Sequence, residues 1–340
     1  MTILIFAIDF EILRNRNLVK DWHLRLFLFS LAFIFSINIT NRVIKLMAEH
    51  LNDKYLERFH FLSEYQTFFE ARWRFNFNEK RYDHAVLLLH GFAGSTQEFE
   101  FLIPKLEAAG IPYIAPAILG FGNSKTVILN KATRTDWYRI CLAYFDCLAT
   151  VAEKVSIVGH SMGGVLATYI AERRDVHQLI LCSPGIFCTK ADLKYRKMLM
   201  NPILSYFYIK VIPYVPKTIR PGRATCSDTL DAKYAQNIFQ YLAIPIKSLR
   251  ELFYAQDEVN PLKANCHYLT IIYGRHELTV DVNSLLTVLD KNNVKYTSHC
   301  FENSAHNVLE DFDRNESCQL IVDTLTKTDS KVGSILEGGC

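Results

Sequence analysis

One stretch constrains this chain more than any other. Residues 157–164 read "IVGHSMGG": a β-branched run ends at Val158, and Ser161 follows, flanked by Gly159 and Gly163. This is G-x-S-x-G at a junction between an apolar strand and the helical run "MGGVLATYIAER", the context that such a pattern requires. A strand that reverses into a helix within one residue leaves that residue strained at the tip. Positions two before and two after it must carry hydrogen in place of Cβ. Ser161 is therefore a candidate nucleophile, and the Met162 amide points into the same space. A glycine-rich turn without chemistry is the plain alternative, and only partners elsewhere in the chain decide between them.

Those partners are present in chain order. "LLLHGFAGST" (87–96) runs an apolar strand into His90-Gly91, where an oxyanion hole takes one backbone N–H from the loop and one from the residue after the nucleophile. Phe92 and Met162 are the expected donors, with His90 and Gly91 shaping the loop and Gly159 and Gly163 the elbow. The base should follow the acid late in the chain. His306, in "FENSAHNVLED" (301–311), lies in a polar loop after the last expected strand. His299 falls inside that strand, while His84, His177 and His267 sit at strand beginnings, the wrong end of a parallel sheet. "IIYGRHELTVD" (271–281) offers two acids. Glu277, in the turn leaving the strand, is preferred. Asp281 is the alternative acid, because a helix N-cap would explain it without catalysis.

The rest of the chain alternates strand and helix: "HAVLLLH", "IPYIAP", "KVSIVG", "HQLILCS", "HYLTIIYG" (267–274) and "KYTSHCF" (295–301) read as strands. "TQEFEFLIPKLEAAG" (96–110), "TDWYRICLAYFDCLATVAE" (135–153) and "VDVNSLLTVLDKN" read as helices between them. The expected fold class is α/β, an open and mostly parallel, doubly wound sheet with helices on both faces. The interval 184–266 interrupts this rhythm at about eighty residues, too long for a plain crossover. Its aromatic stretch "NPILSYFYIKVIPYVPK" (201–217) suits a lid over a pocket for an apolar substrate.

These motifs together resemble the α/β-hydrolase superfamily, in its carboxylesterase, monoacylglycerol lipase and lysophospholipase group, over about residues 84–325. The resemblance rests on "HGFAGS", "LGFGNS" (119–124), "GHSMGG", "GRHELTVD" and "SAHNVLED". It implies a serine hydrolase that cleaves carboxylic esters of lipid-like or acyl-chain alcohols through a Ser161, Glu277, His306 triad and an acyl-enzyme. It also implies a helical cap inserted after the sixth strand. The family usually places aspartate where Glu277 stands. A C–C hydrolase or acyltransferase on the same triad, or a non-catalytic binding protein, are the competing readings. No metal and no cofactor is expected, and the partner is a small-molecule ester with an apolar acyl group.

Composition bounds the remainder. The 340 residues are 50% hydrophobic, and a formal charge of +3 with no basic stripe argues against nucleic acid. Nine cysteines at irregular spacing, with no CxxC, fit a reducing, cytoplasmic setting. Residues 1–46 are an apolar extension whose uncharged run "LFLFSLAFIFSI" (26–37) is shorter than a spanning helix needs. Three readings stand open: a membrane association through residues 24–39, an uncleaved signal-like segment, or sequence upstream of a start at Met47. Residues 47–183 and 267–327 make the expected core, 48–75 an amphipathic helix or packed extension, and 328–340 a flexible tail. The oligomeric state has no signature in the sequence.

Overall fold

Strands buried on both faces must be apolar at every position, and the central strands of this chain are. The computed structural model describes residues 37–39, 41–47, 72–74, 82–122, 129–239 and 241–327. The strands in chain order are β1 (Arg72–Arg74), β2 (Tyr82–Leu89), β3 (Tyr113–Ala115), β4 (Ala152–His160), β5 (Val176–Cys182), β6 (Tyr214–Pro216), β7 (Ala243–Pro245), β8 (Cys266–Gly274) and β9 (Thr297–Phe301). Seven form one sheet in the order β1-β3-β2-β4-β5-β8-β9. All its neighbours are parallel except the edge pair β1–β3. β1 emerges from the charge-rich 48–75 segment, where an amphipathic helix or packed extension was expected; the other residues of that segment lie outside the described ones.

The helices are α1 (Leu102–Ala108), α2 (Arg134–Val151), α3 (Met162–Ala171), α4 (Leu193–Met200), α5 (Pro202–Val211), α6 (Ala232–Ala235), α7 (Ile246–Glu258), α8 (Val282–Lys291) and α9 (Arg314–Thr326). Alternate strand residues divide them between two layers. Leu87, Leu89, Ile157, Leu179 and Ile271 face α2, α3, α7 and α8. Val86, Leu88, Val158, Ile180 and Ile272 face α1 and α9. The fold is the doubly wound α/β arrangement expected.

Three local boundaries differ from the sequence reading. The segment 96–110 splits into a 3-10 turn (Thr96–Phe99) and α1. α2 starts at Arg134 because Thr133 and Asp136 form a capping box. It stops at Val151, since Ala152 already turns extended and opens β4. The expected tail 328–340 and most of 1–46 lie outside the described residues.

The interval between β5 and β8 holds α4 to α7 and a two-stranded antiparallel ribbon, β6–β7, so it mixes helix with strand where only helices were expected. Counted along the described strands, it follows the fifth, where the sequence reading placed it after the sixth. A small apolar cluster of Leu199, Ile246 and Phe253 holds its helices together.

The elbow between β4 and α3 is the tightest point. Ser161 has φ 53° and ψ −114°, a left-handed backbone for a residue with a side chain. A Cβ on Gly163 would lie 1.8 Å from the Leu89 carbonyl oxygen, and one on Gly159 would lie 2.4 Å from the Gly163 carbonyl oxygen. Backbone cannot yield there, so glycine alone lets α3 pack against the end of β2. Gly163→Ala is accordingly expected to destabilise the fold by about 3 kcal/mol or more in chemical denaturation, and a loss under about 1 kcal/mol would contradict that reading.

Candidate active site

Three chain segments converge above the C-terminal edge of the sheet, where ligands of open α/β sheets bind. The elbow lifts Ser161 there from β4. The turn after β8 brings Glu277, and the loop after β9 brings His306. The structure places Ser161 Oγ 2.9 Å from His306 Nε2, and His306 Nδ1 2.7 Å from Glu277 Oε2. With Nδ1–H donating to the carboxylate, Nε2 is the acceptor for the serine hydroxyl. Burial works against ionising Glu277, but His306 and the amides of Thr279 and Val280 outweigh it and hold the carboxyl below the usual range.

Asp281, the alternative acid, lies elsewhere. It caps α8, accepting hydrogen bonds from the Ser284 amide and hydroxyl at 3.0 and 2.8 Å. His84, His177 and His267 form a row at the opposite ends of their strands, His84 edge-on to His177 and His267 tilted against it, with ring centroids 5.4 and 5.7 Å apart. Phe92 and Met162 line the same cavity as Ser161. Neither amide donates to a protein acceptor among the described residues. Phe92 is held from behind by Phe121, 5.3 Å between centroids, and Phe121 by Trp137. The Gly120-Phe121-Gly122 turn is pinned by Tyr241, whose hydroxyl donates to both glycine carbonyls.

Two buried histidines carry opposite protonation patterns, readable from their partners. His90 meets the Gly91 carbonyl at Nδ1 and the Ile118 amide at Nε2. One nitrogen must donate and the other accept, so the ring is neutral, and burial lowers its pKa accordingly. His160 meets Glu98 Oε2 at 2.7 Å and the His306 carbonyl at 3.1 Å. Both partners accept, so both nitrogens donate and the ring is an imidazolium. Burial alone would lower its pKa; the charge and hydrogen bond of Glu98 prevail and raise it.

Glu98 is the residue the sequence reading missed. The same Oε2 accepts the Gly91 amide at 2.8 Å, so one carboxylate ties the loop after β2 to the elbow, and His160 carries the tie on to the His306 carbonyl. A Cβ on Gly94 would lie 1.9 Å from Glu98 Oε1, which explains the second glycine of "HGFAGS". No local signal in the sequence singles it out: Glu98 stands among Thr96, Gln97 and Glu100 in a mixed polar and apolar run.

The base loop has its own brace. Asp311 is fully buried and accepts the amides of Ala305, Leu230 and Asp231, joining the His306 loop to the insertion. Asp228 accepts from Thr279 and pairs with Arg223 in a buried ion pair, and Arg223 also donates to the His276 carbonyl.

The cavity above Ser161 holds about 520 Å³. Its floor is Phe92, Ser161, Met162 and His306; its walls, including Phe187, Tyr195, Val215, Leu252 and Phe253, come mostly from the insertion. Among the described residues no group of three or more His, Cys, Asp or Glu side chains is placed to hold a metal ion.

Comparison with known proteins agrees with this architecture. A family model described as the alpha/beta hydrolase fold matches residues 84–197. A carboxylesterase of Bacillus subtilis (strain 168) is 22% identical over 266 residues, covering 74% of this chain and 96% of that protein. Lipase 3 of Moraxella sp. (strain TA144) is 27% identical over 150 residues, so the match takes in 40% of this chain and about half (47%) of that lipase's length. Among solved structures, one from a study of LipS and LipT, two metagenome-derived lipolytic enzymes, superposes with a TM-score of 0.60 at 20% identity, covering 76% of this chain and 98% of its own. A soluble variant of monoglyceride lipase from Saccharomyces cerevisiae, in complex with a substrate analog, superposes with a TM-score of 0.58 at 16% identity, covering 75% and 89%. Likeness at these identities speaks for the fold.

The Glu98–His160 pair sets a pH signature. Glu98 is held below its usual range, burial being outweighed by His160, while His160 is raised. The pair therefore contributes stability between the two titrations: fully present below the unfolded histidine value near 6.5, lost as pH rises through the raised value. Glu98→Gln should cost about 3 kcal/mol near pH 6, and the deficit against the parent should shrink in alkaline denaturation series. A deficit independent of pH would contradict the pairing.

Proposed function

We propose that this chain is a member of the α/β-hydrolase superfamily and a carboxylic ester hydrolase of the carboxylesterase and lipase kind, working through a serine acyl-enzyme. The single observation that carries the reading is the continuous contact from Glu277 through His306 to the strained Ser161. His306 Nε2 takes the hydroxyl proton as Ser161 Oγ attacks the ester carbonyl. Glu277, already ionised and anchored by two amides, keeps Nδ1 protonated and steadies the imidazolium that forms. The oxyanion lies between the amides of Phe92 and Met162, donors held by packing before the substrate arrives. The alcohol leaves with the proton from Nε2. Water then enters, gives its proton to the same nitrogen and releases the acid.

The substrate class follows from the cavity. Its aromatic and aliphatic walls suit an acyl chain lying toward Tyr195 and Phe253, and Asn307, Ser227 and Thr279 form a polar side near His306. An ester of a small polar alcohol with an apolar acyl group, such as a monoacylglycerol, a lysophospholipid or a simple carboxylester, fits both. The glutamate at 277 serves as well as aspartate here, because the turn before it presents Oε2 at hydrogen-bond distance to Nδ1.

Two measurements test this. A fluorophosphonate should label the chain covalently, and Ser161→Ala should abolish both the label and p-nitrophenyl ester hydrolysis; labelling of the variant would remove Ser161 from its role. Glu277→Gln should lower kcat by about 10³- to 10⁴-fold, as loss of a triad acid does, whereas Asp281→Asn should lower stability by about 1 kcal/mol through its cap and leave kcat within a few-fold. The reverse pattern would make Asp281 the acid.

A further inference from the structure

The acid of the triad is braced by residues that lie outside its own turn. Glutamate carries one more methylene than aspartate, so one more torsion must be fixed to hold its carboxyl on His306 Nδ1. The amides of Thr279 and Val280 fix Glu277 Oε1, at 2.7 and 3.2 Å. Those amides belong to a turn in which Arg275, His276 and Leu278 are exposed. A surface turn of this kind directs a carboxyl no better than it is itself held.

The insertion holds it. Arg223 and Asp228 form an ion pair with side chains each 5% exposed. Arg223 Nη2 donates to the His276 carbonyl at 2.6 Å, just before the acid. Asp228 Oδ2 accepts the Thr279 hydroxyl at 2.6 Å, on the other side of it. The insertion thus fixes Thr279 by its hydroxyl while the Thr279 amide fixes Glu277. The Asp228 carbonyl also accepts the amide of Asn307, the residue that follows the base, at 3.1 Å. One residue of the insertion therefore touches both loops, and Asp228, Thr279 and Asn307 all border the cavity.

Attachment of the insertion does not require this convergence. The Gln97 side chain holds the Asn237 carbonyl and the Phe239 amide, Tyr241 holds the carbonyls of Gly120 and Gly122, and Asp311 holds the amides of Leu230 and Asp231. None of these contacts reaches residues 276–279. What the Arg223–Asp228 pair adds is a grip on both sides of Glu277. Burying two charges costs desolvation, which the hydrogen bonds of each partner to the acid turn help to offset.

On the assignment of Ser161, Glu277 and His306 to ester hydrolysis, we propose that Arg223 and Asp228 are positioning residues for the triad. They fix the turn that aims the Glu277 carboxyl at His306, so the insertion completes the catalytic apparatus as well as walling the cavity. Neither residue touches the reacting atoms. Their effect runs through the contact between Glu277 and His306, which matters most as the imidazolium forms. Loss of the pair is therefore read in kcat, with KM near that of the parent.

The test is a kinetic double-mutant cycle on the full chain with p-nitrophenyl butyrate. Asp228→Asn should lower kcat by about 10- to 100-fold, as misplacement of a catalytic group does, with KM within about threefold. In a Glu277→Gln background the same substitution should cost less than about twofold, because the carboxylate it aims is already gone. Asp228→Asn also strands the Arg223 charge, so Thr279→Val, which removes the hydroxyl contact and keeps the side-chain shape, is the second arm. It should lower kcat by about 3- to 10-fold and lose that effect in the Glu277→Gln background. Thr279→Ser, which keeps the hydroxyl, should recover most of the loss. Chemical denaturation of every variant reports that it is folded. A folded Asp228→Asn with kcat within about twofold of the parent, or losses that multiply with that of Glu277→Gln, would overturn the proposal. An Asp228→Asn chain that does not fold leaves the Thr279 arm to decide by the same criteria. Undiminished hydrolysis by Ser161→Ala and Glu277→Gln would instead fail the hydrolase reading, so the two failures are distinct.

Discussion

The approach of α3 to the end of β2 is the constraint on which the site depends. Gly163 passes the Leu89 carbonyl at a distance no Cβ would allow, and this draws the first turn of α3 under Ser161. The serine is left in a backbone conformation that residues with side chains rarely adopt. The strain is sustained because the strands beneath are buried on both faces and cannot relax. The same packing brings Met162, the first residue of α3, to the edge of the cavity beside Ser161. Backbone geometry, and not any single polar contact, therefore sets where Ser161 stands.

Around that elbow the polar groups are arranged to be stiff. Glu98 accepts from the oxyanion loop and from His160, and His160 in turn holds the carbonyl of His306. One buried ion pair thus touches loop, elbow and base together. Its cost in desolvation is offset by the hydrogen bonds that satisfy each partner, and removing one partner would strand the other's charge. His90, two residues before Phe92, is kept neutral by a donor on one side and an acceptor on the other. Both ring nitrogens of His90 and of His160 are thus already engaged in hydrogen bonds.

The insertion is more than a cover. Asp311 reaches from the base loop to the amides of Leu230 and Asp231, and Asp228 reaches from the insertion to Thr279 beside the acid. Movement of the insertion is therefore mechanically connected to the two loops that carry Glu277 and His306.

Much of this was legible beforehand. Continuous apolar runs and their alternation with helical segments determined a parallel sheet, since only strands covered on both faces lack a polar side. The spacing of the glycines around Ser161 determined the elbow, because only one backbone path satisfies it. His306 was a candidate from its polar loop after the last strand and Glu277 from its turn, and the structure brings both to hydrogen-bond distance in line with Ser161. What the sequence left unresolved was contact between distant residues. Glu98 reads as an ordinary helical acid until folding buries it against His160. Glu277 was preferred over Asp281 from local pattern, and the structure shows Asp281 engaged as the N-cap of α8. The ribbon in the insertion and the edge strand β1 are too short to carry a periodic signal. Local pattern states which backbone a segment prefers; which charges become partners is decided only when tertiary packing removes the water between them.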